Sequence, residues 1–443
     1  MESYNSEGEY IESCKRRALL PRGFLASTTS LTFFPVEKKV PDAMKMNLSL
    51  ILLKEKSPLF AAVFTRNAFP GAPVRIGKEL LSRDRVRGIL VNNRIANVCA
   101  EGGVEDARLI LAELGRLLEC EKYDFFPSST GIIGWKLPVK DMISSLPSLI
   151  EGLQDESIFP VARAIMTTDS YPKVRSFLHG EGRTVGIAKG AGMIEPNMAT
   201  MLSFILTDVK LDREGMREML HRVVEESFNR ISIDGDQSTS DMVIFLSSGK
   251  VECDSVVEYE DELKELCRKL SEDVVRNGEG VGHVIQVTVI NAPSEAIARG
   301  VGKAVVNSPL VKTAIFGNDP NVGRIVSSIG DFVGNSLAGN TELAVSPGFI
   351  RIASGLLFME RIAIRVGKKM VFENGVFKID EETEKFLSDY FKDCALDSEG
   401  KRFPAHDRKV EIEIDLGSGR EESTVIGSDL SYQYVRENAD YRS

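Results

Sequence analysis

Lys189-Gly190-Ala191-Gly192-Met193-Ile194-Glu195-Pro196-Asn197-Met198-Ala199-Thr200-Met201-Leu202 sets a hydroxyl residue directly after a small one, at the mouth of an apolar run. Residues 201–206 read as a strand, as do residues 184–188 on the other side of the glycines, so a Gly-rich turn joins two strands. As scaffold, Thr200 is simply a β-branched strand residue. As chemistry, breaking the Ala199–Thr200 bond would give Thr200 a free α-amine, of pKa roughly 8, that can take the proton of its own hydroxyl. A hydroxyl is a weak nucleophile at neutral pH, and this arrangement puts nucleophile and base in one residue.

The chain around this stretch has 443 residues, 43% hydrophobic and 27% charged, enough for a large core and more than one subdomain. A net charge of -10, with no Lys/Arg-rich tract, argues against nucleic-acid binding and points to small-molecule partners. Six cysteines without a C-x-x-C pair and four scattered histidines offer no metal spacing, and read as reduced, mostly buried thiols. The first residues, MESYNSEGEYIESCKRR, are acidic before they are basic, the reverse of a secretory signal, and no apolar run reaches membrane-spanning length. A cytoplasmic location is the default expectation.

Strand-like and helical patterns alternate, as in mixed α/β structure. Strands are expected at residues 48–53, 59–65, 88–92, 164–168, 184–188 and 201–206, then at 242–247, 284–290, 312–316, 362–366 and 410–416. Apolar residues recurring at three and four predict helices over 104–118, 213–228, 260–275 and 294–306, with Asp212 and Ser294 as caps. The polar stretch 393–407 reads as an exposed loop.

Several segments accompany Ala199-Thr200. Ser128-Ser129-Thr130-Gly131-Ile132-Ile133-Gly134 offers a close-approaching backbone N–H beside a hydroxyl, the makings of an oxyanion hole. Ala164-Ile165-Met166-Thr167-Thr168-Asp169 is followed by Pro172-Lys173. Ile233-Asp234-Gly235-Asp236-Gln237-Ser238-Thr239-Ser240-Asp241 is rich in oxygen donors but lacks the closing Glu of an EF-hand, and reads as a bracing turn. Asn277-Gly278-Glu279-Gly280, the run Val311-Lys312-Thr313-Ala314-Ile315-Phe316-Gly317-Asn318-Asp319-Pro320-Asn321-Val322-Gly323-Arg324-Ile325, and the terminal Tyr434-Val435-Arg436-Glu437-Asn438-Ala439-Asp440-Tyr441-Arg442-Ser443 complete the set. Asp-Pro-Asn before Gly suggests a tight turn leaving a strand.

Together these segments resemble the ornithine acetyltransferase, or glutamate N-acetyltransferase, family from about Pro21 to the last residue. The resemblance implies an α/β/β/α sandwich of the self-processing N-terminal-nucleophile type with a smaller C-terminal α+β region. It implies autocleavage at Ala199-Thr200 into an α chain, residues 1–199, and a β chain, residues 200–443, assembled as a heterotetramer or larger. Thr200 would then be the nucleophile, and Thr130 and Gly131 the oxyanion hole. Thr167, Lys189, Thr200, Glu279, Asn438 and Ser443 would contact substrate. The implied reaction moves acetyl from N-acetylornithine to glutamate in arginine biosynthesis, by a ping-pong cycle with no metal and no cofactor. Acetyl-CoA as a further donor is left open. Lys189 suits an α-carboxylate, and Glu279 suits the side-chain ammonium that distinguishes ornithine from glutamate.

Departures from the family pattern include Arg94 in Asn92-Asn93-Arg94-Ile95-Ala96-Asn97, where glycine is usual, together with Gln237, Ser240, His283 and Val322. Two rival readings stand. A self-processing aminopeptidase or amidohydrolase on a similar fold would use water as acceptor. A nucleotide-binding or structural protein would need a phosphate fingerprint, and Gly300-Val301-Gly302-Lys303 lies inside a helical pattern without Walker spacing.

Overall fold

The computed structural model describes residues 1–195, 201–337 and 357–439, so Ala199, Thr200 and Ser443 lie outside the described residues. The chain divides into two compact units, the larger formed by Ile11–Asn229 and Asp236–Val274, the smaller by Met1–Tyr10, Arg230–Gly235 and Val275–Ser443.

The larger unit holds two sheets. The first runs in the order Phe24–Phe33, Met44–Ser57, Val86–Asn92, Phe125–Ser129, with only the last pair parallel. The second runs Phe60–Phe64, Met242–Glu252, Leu202–Lys210, Gly182–Lys189, Lys173–His179. Its central strand, Leu202–Lys210, is buried at every position but the last, which is why its sequence is largely apolar rather than alternating, with Ser203, Thr207 and Asp208 buried among the apolar residues. Helices Gly103–Leu117 and Val139–Glu151 pack with the first sheet, and Arg213–Glu226 and Val256–Arg276 with the second, where Leu266 and Leu270 fill the space over Gly186. The Phe60 ring meets Phe126 edge-on at 5.9 Å, joining one sheet to the other. The expected α/β/β/α layering is present. Strands Gly182–Lys189 and Leu202–Lys210 are antiparallel partners, Lys189 opposite Leu202.

The smaller unit is built on a seven-stranded sheet in the order Val376–Phe377, Lys369–Glu373, Ala363–Val366, Val410–Asp415, Val284–Ala292, Glu421–Ser428, Ile231–Ser232. Helix Glu295–Asn307, capped by the Ser294 hydroxyl on Ile297 N–H, lies on it with Gly302 close against Val425. The cap at Asp212 is also formed, its carboxylate accepting from Gly215 N–H at 2.9 Å.

Four expectations need correction. Residues 164–168 are not a strand but the end of helix Phe159–Ala164 and the turn beyond it. Residues 312–316 belong to helix Pro309–Phe316. Its sequence alternates Val311, Thr313, Ile315 like a strand, yet Ser308 caps Val311 N–H and Pro309 suits a first helical turn. The Asp319-Pro320-Asn321 turn therefore leaves a helix. Lys312 is buried, its ammonium donating to the carbonyls of Ile233, Val306 and Ser428, which makes it scaffold. Among the cysteines only Cys14, Cys267 and Cys394 are buried, and all six are free thiols.

Within the 393–407 loop, His406 is buried, its Nε2 at 3.1 Å from the Val281 carbonyl. Burial, helped by the Arg276 charge, pushes its pKa down from 6.5 to about 4. The folded ring stays neutral where the unfolded chain would take a proton. Its contribution to stability is therefore full above pH 6.5 and is lost as pH falls toward 4, by about 3 kcal/mol. Urea unfolding across that window should show His406→Asn with a flatter pH dependence than wild type. Equal slopes would remove His406 as the source.

Candidate functional site

In the larger unit the site begins where strands Val86–Asn92 and Phe125–Ser129 run parallel and end together, Asn92 opposite Ser129. The Asn92 carboxamide ties the two loops that follow: Oδ1 accepts from the Ser129 hydroxyl at 2.6 Å and Nδ2 donates to Ile95 O at 2.9 Å. Thr130 N–H is used up by the Asn92 carbonyl at 3.1 Å. Gly131 follows at φ +127°, and a Cβ there would sit 2.1 Å from the Arg94 carbonyl carbon, so only glycine fits. Arg94 itself has φ +74°, a conformation that costs a side-chain-bearing residue on the order of 1–2 kcal/mol and explains why glycine suits the position.

Lys189, at the end of its strand and 9% exposed, brings its ammonium 3.2 Å from Thr130 Oγ1. An ammonium only donates, so the Thr130 oxygen accepts and its own O–H is left to point elsewhere. Among the described residues nothing accepts from the Thr130 O–H or the Gly131 N–H. Two adjacent free donors are what an oxyanion requires.

Thr167 reaches the same frame through Asp169. One carboxylate oxygen accepts from Thr167 N–H at 3.1 Å. The other accepts from Gly190 N–H at 2.8 Å and from Lys173 Nζ at 2.5 Å. Burial opposes ionisation of Asp169, but Lys173, Lys189 and the N–H donors outweigh it and hold its carboxyl far below the usual range. Asn93 secures the segment ahead of Thr167, its Nδ2 donating to the carbonyls of Ala164 and Met166. Asp241, 4% exposed, has one carboxylate oxygen that meets no partner among the described residues, and burial pushes its pKa well up against the Ser238 hydroxyl and the Lys189 charge. The loop before it is pinned through Thr65 Oγ1 to Ser238 O and Asn67 Nδ2 to Gln237 O, both at 2.8 Å, as a bracing turn should be.

In the smaller unit, Glu279 is 7% exposed and accepts from Asn438 Nδ2 at 2.8 Å. Asn438 lies on helix Tyr432–Ala439, which is docked rather than frayed: Ser431 Oγ donates to Gly280 O and accepts from Tyr434 N–H, and Tyr434 OH reaches Asp234 at 3.3 Å. Gly280, at φ +62°, lets that helix approach, since a Cβ would lie 2.3 Å from Tyr434 N.

Thr130, Gly131 and Lys189 are thus brought together, Thr167 is linked to them through Asp169, and Glu279 is joined to Asn438. Asn92, Asn93, Asp169 and Lys173 carry no role in the sequence alone, and Asp241 only that of a bracing turn. An acid and a base four apart beside a proline was the available signal for Asp169 and Lys173. Among the described residues no cluster of three or more His, Cys, Asp or Glu is placed to hold a metal, and no helix is long and apolar enough to cross a membrane.

The sequence model of the ArgJ family matches residues 35–443. Arginine biosynthesis bifunctional protein ArgJ 2 of Clostridium acetobutylicum is 35% identical over 424 residues, covering 96% of this chain and 98% of that protein. The glutamate N-acetyltransferase of Methanocaldococcus jannaschii is 36% identical over 406 residues, covering 88% and 93%. Among solved structures, the arginine biosynthesis bifunctional protein argJ of Bacillus halodurans is similar at 30% identity and a TM-score of 0.44, over 54% of this chain and 99% of that one.

Proposed function

The chain belongs to the ArgJ family, and on that premise we propose how its residues carry out acetyl transfer. The protein is a glutamate N-acetyltransferase of arginine biosynthesis, taking acetyl from N-acetylornithine. Its chain first cuts itself. The Thr200 hydroxyl adds to the Ala199 carbonyl, the Thr200 nitrogen leaves as the amine, and water hydrolyses the resulting ester. The freed α-amine then takes the hydroxyl proton as Thr200 adds to the acetyl carbonyl of N-acetylornithine. Thr130 O–H and Gly131 N–H stabilise the oxyanion, ornithine departs with the proton, and the amine of glutamate removes acetyl from the Thr200 ester.

The observation that carries this reading is the 3.2 Å contact of Lys189 with Thr130, which unites the oxyanion segment with the opening of the nucleophile segment and leaves the Thr130 proton free to donate. Thr167, Lys189, Glu279, Asn438 and Ser443 are each proposed as substrate contacts, Lys189 for an α-carboxylate and Glu279 for a side-chain ammonium. The processed pieces are proposed to assemble as two of each, in the cytoplasm.

Purified protein given N-acetylornithine and labelled glutamate should form labelled N-acetylglutamate with parallel-line kinetics. Release of acetate without transfer would favour the hydrolase, and acetyl-CoA tested in place of N-acetylornithine reads the second donor. Glu279→Gln keeps shape and removes charge. Deleting one member of a buried charged hydrogen bond costs about 2–5 kcal/mol, so kcat/KM for N-acetylornithine should fall well over tenfold while self-cleavage continues. Unchanged kinetics would make Glu279 scaffold.

A further inference from the structure

Asp169 has no place among the substrate contacts or the oxyanion donors, yet its side chain is wholly buried against Lys173, which is equally buried. A buried ion pair is a poor way to gain stability, because taking both charges out of water offsets most of their attraction and an apolar pair of similar volume does as well or better. The geometry suggests a different use. Thr167 lies beyond a short helix and Gly190 directly after strand Gly182–Lys189; the ladder between that strand and Lys173–His179 starts with Lys173 opposite Ala188 and includes neither Thr167 nor Gly190. The two oxygens of Asp169 accept one N–H from each.

We propose that Asp169 is a positioning residue, whose carboxylate locks Thr167 and the Lys189–Gly190 corner into one frame, with Lys173 as its fixed counter-charge. The proposal rests on the reading of Thr167 and Lys189 as substrate contacts. Lys173 enters from the edge strand Lys173–His179 with no exposure to solvent, so its ammonium is fixed in place. Both of its settings follow from one carboxylate: Lys189 must keep its ammonium on Thr130, and Thr167 must face the substrate, within tolerances of well under an ångström for efficient transfer. An uncharged amide at 169 offers one acceptor oxygen in place of two and can serve only one of the two segments.

The test separates stability from turnover with three variants, measured as rate per folded, processed molecule. Asp169→Asn should lower kcat/KM for N-acetylornithine at least 30-fold. Asp169→Asn/Lys173→Met removes the stranded ammonium as well, and should recover a melting temperature near that of wild type while kcat/KM stays at least 30-fold down. Lys173→Met alone keeps the carboxylate and both N–H bonds, and should melt lower yet hold kcat/KM within about fivefold. A pair acting only as scaffold predicts the opposite, with kcat/KM recovering alongside the melting temperature in the double variant and falling with it in Lys173→Met. Either of those results, or an Asp169→Asn protein as active as wild type, overturns the proposal. A wild-type protein that moves no acetyl between N-acetylornithine and glutamate overturns the functional reading instead, and is recognised before any variant is made.

Discussion

Thr200→Ala should run as one full-length chain on a denaturing gel where the wild type gives two pieces, and it should have no measurable acetyl transfer. The effect is expected to be total because the substitution removes one atom that both reactions need. Without Oγ there is nothing to add to the Ala199 carbonyl, and no site on which acetyl can rest between donor and acceptor. Intact mass sharpens the measurement: the wild-type pieces should correspond to residues 1–199 and 200–443. Thr200→Ser retains a hydroxyl and should still cut, though more slowly if the methyl group helps hold the attacking rotamer. A single uncut wild-type band from fully active protein would sink the mechanism, and so would transfer by Thr200→Ala.

Thr130→Ala should slow acetyl transfer by about 10²–10³ in kcat, the usual consequence of losing one donor from an oxyanion hole. The main chain of Thr130 cannot substitute for the hydroxyl, because its N–H is committed to the Asn92 carbonyl. The hydroxyl is also polarised in the useful sense, with a cation donating to its oxygen. Thr130→Ser should restore most of the rate, and KM for N-acetylornithine should change far less than kcat, since the bond matters most when the carbonyl oxygen is charged. A Thr130→Ala enzyme within threefold of wild type would move the oxyanion hole elsewhere. The same variant should process itself slowly, because the cut passes through an oxyanion of the same kind.

Much of the scaffold was legible because its physics is local. The helix from Arg213 shows in the recurrence of Met216, Leu220 and Val223 behind an Asp cap, and the strand from Leu202 in a largely apolar run. The errors fell on short segments where two periods coincide. Residues 312–316 alternate like a strand and repeat like a helix, and only the Ser308-Pro309 pair ahead of them decides it. In the candidate site, motif resemblance marked Thr130, Lys189 and Glu279, and the geometry then grouped them within their units. What stayed hidden was whatever depends on depth. Asp169 and Lys173 look in sequence like a solvated pair, and Asp241 like one more acid in a polar loop, because burial is a property of the folded surroundings and not of the residue.

The strands flanking the proposed cut, Gly182–Lys189 and Leu202–Lys210, are hydrogen-bonded partners in the middle of one sheet. A cut between them therefore changes the molecularity of unfolding without loosening the native state. Before the cut, one chain unfolds and can refold as a single body. Afterwards the same event is a dissociation, its unfolded state enriched by the independent translation of two fragments and its midpoint dependent on concentration. The ladder formed while the fragments were one molecule would have to be found again by collision, with each partner strand exposing an apolar edge in the meantime. On this view the protein matures in one direction only: the connection that guided folding is removed once, and the sheet holds by itself what the chain can no longer reassemble at low concentration.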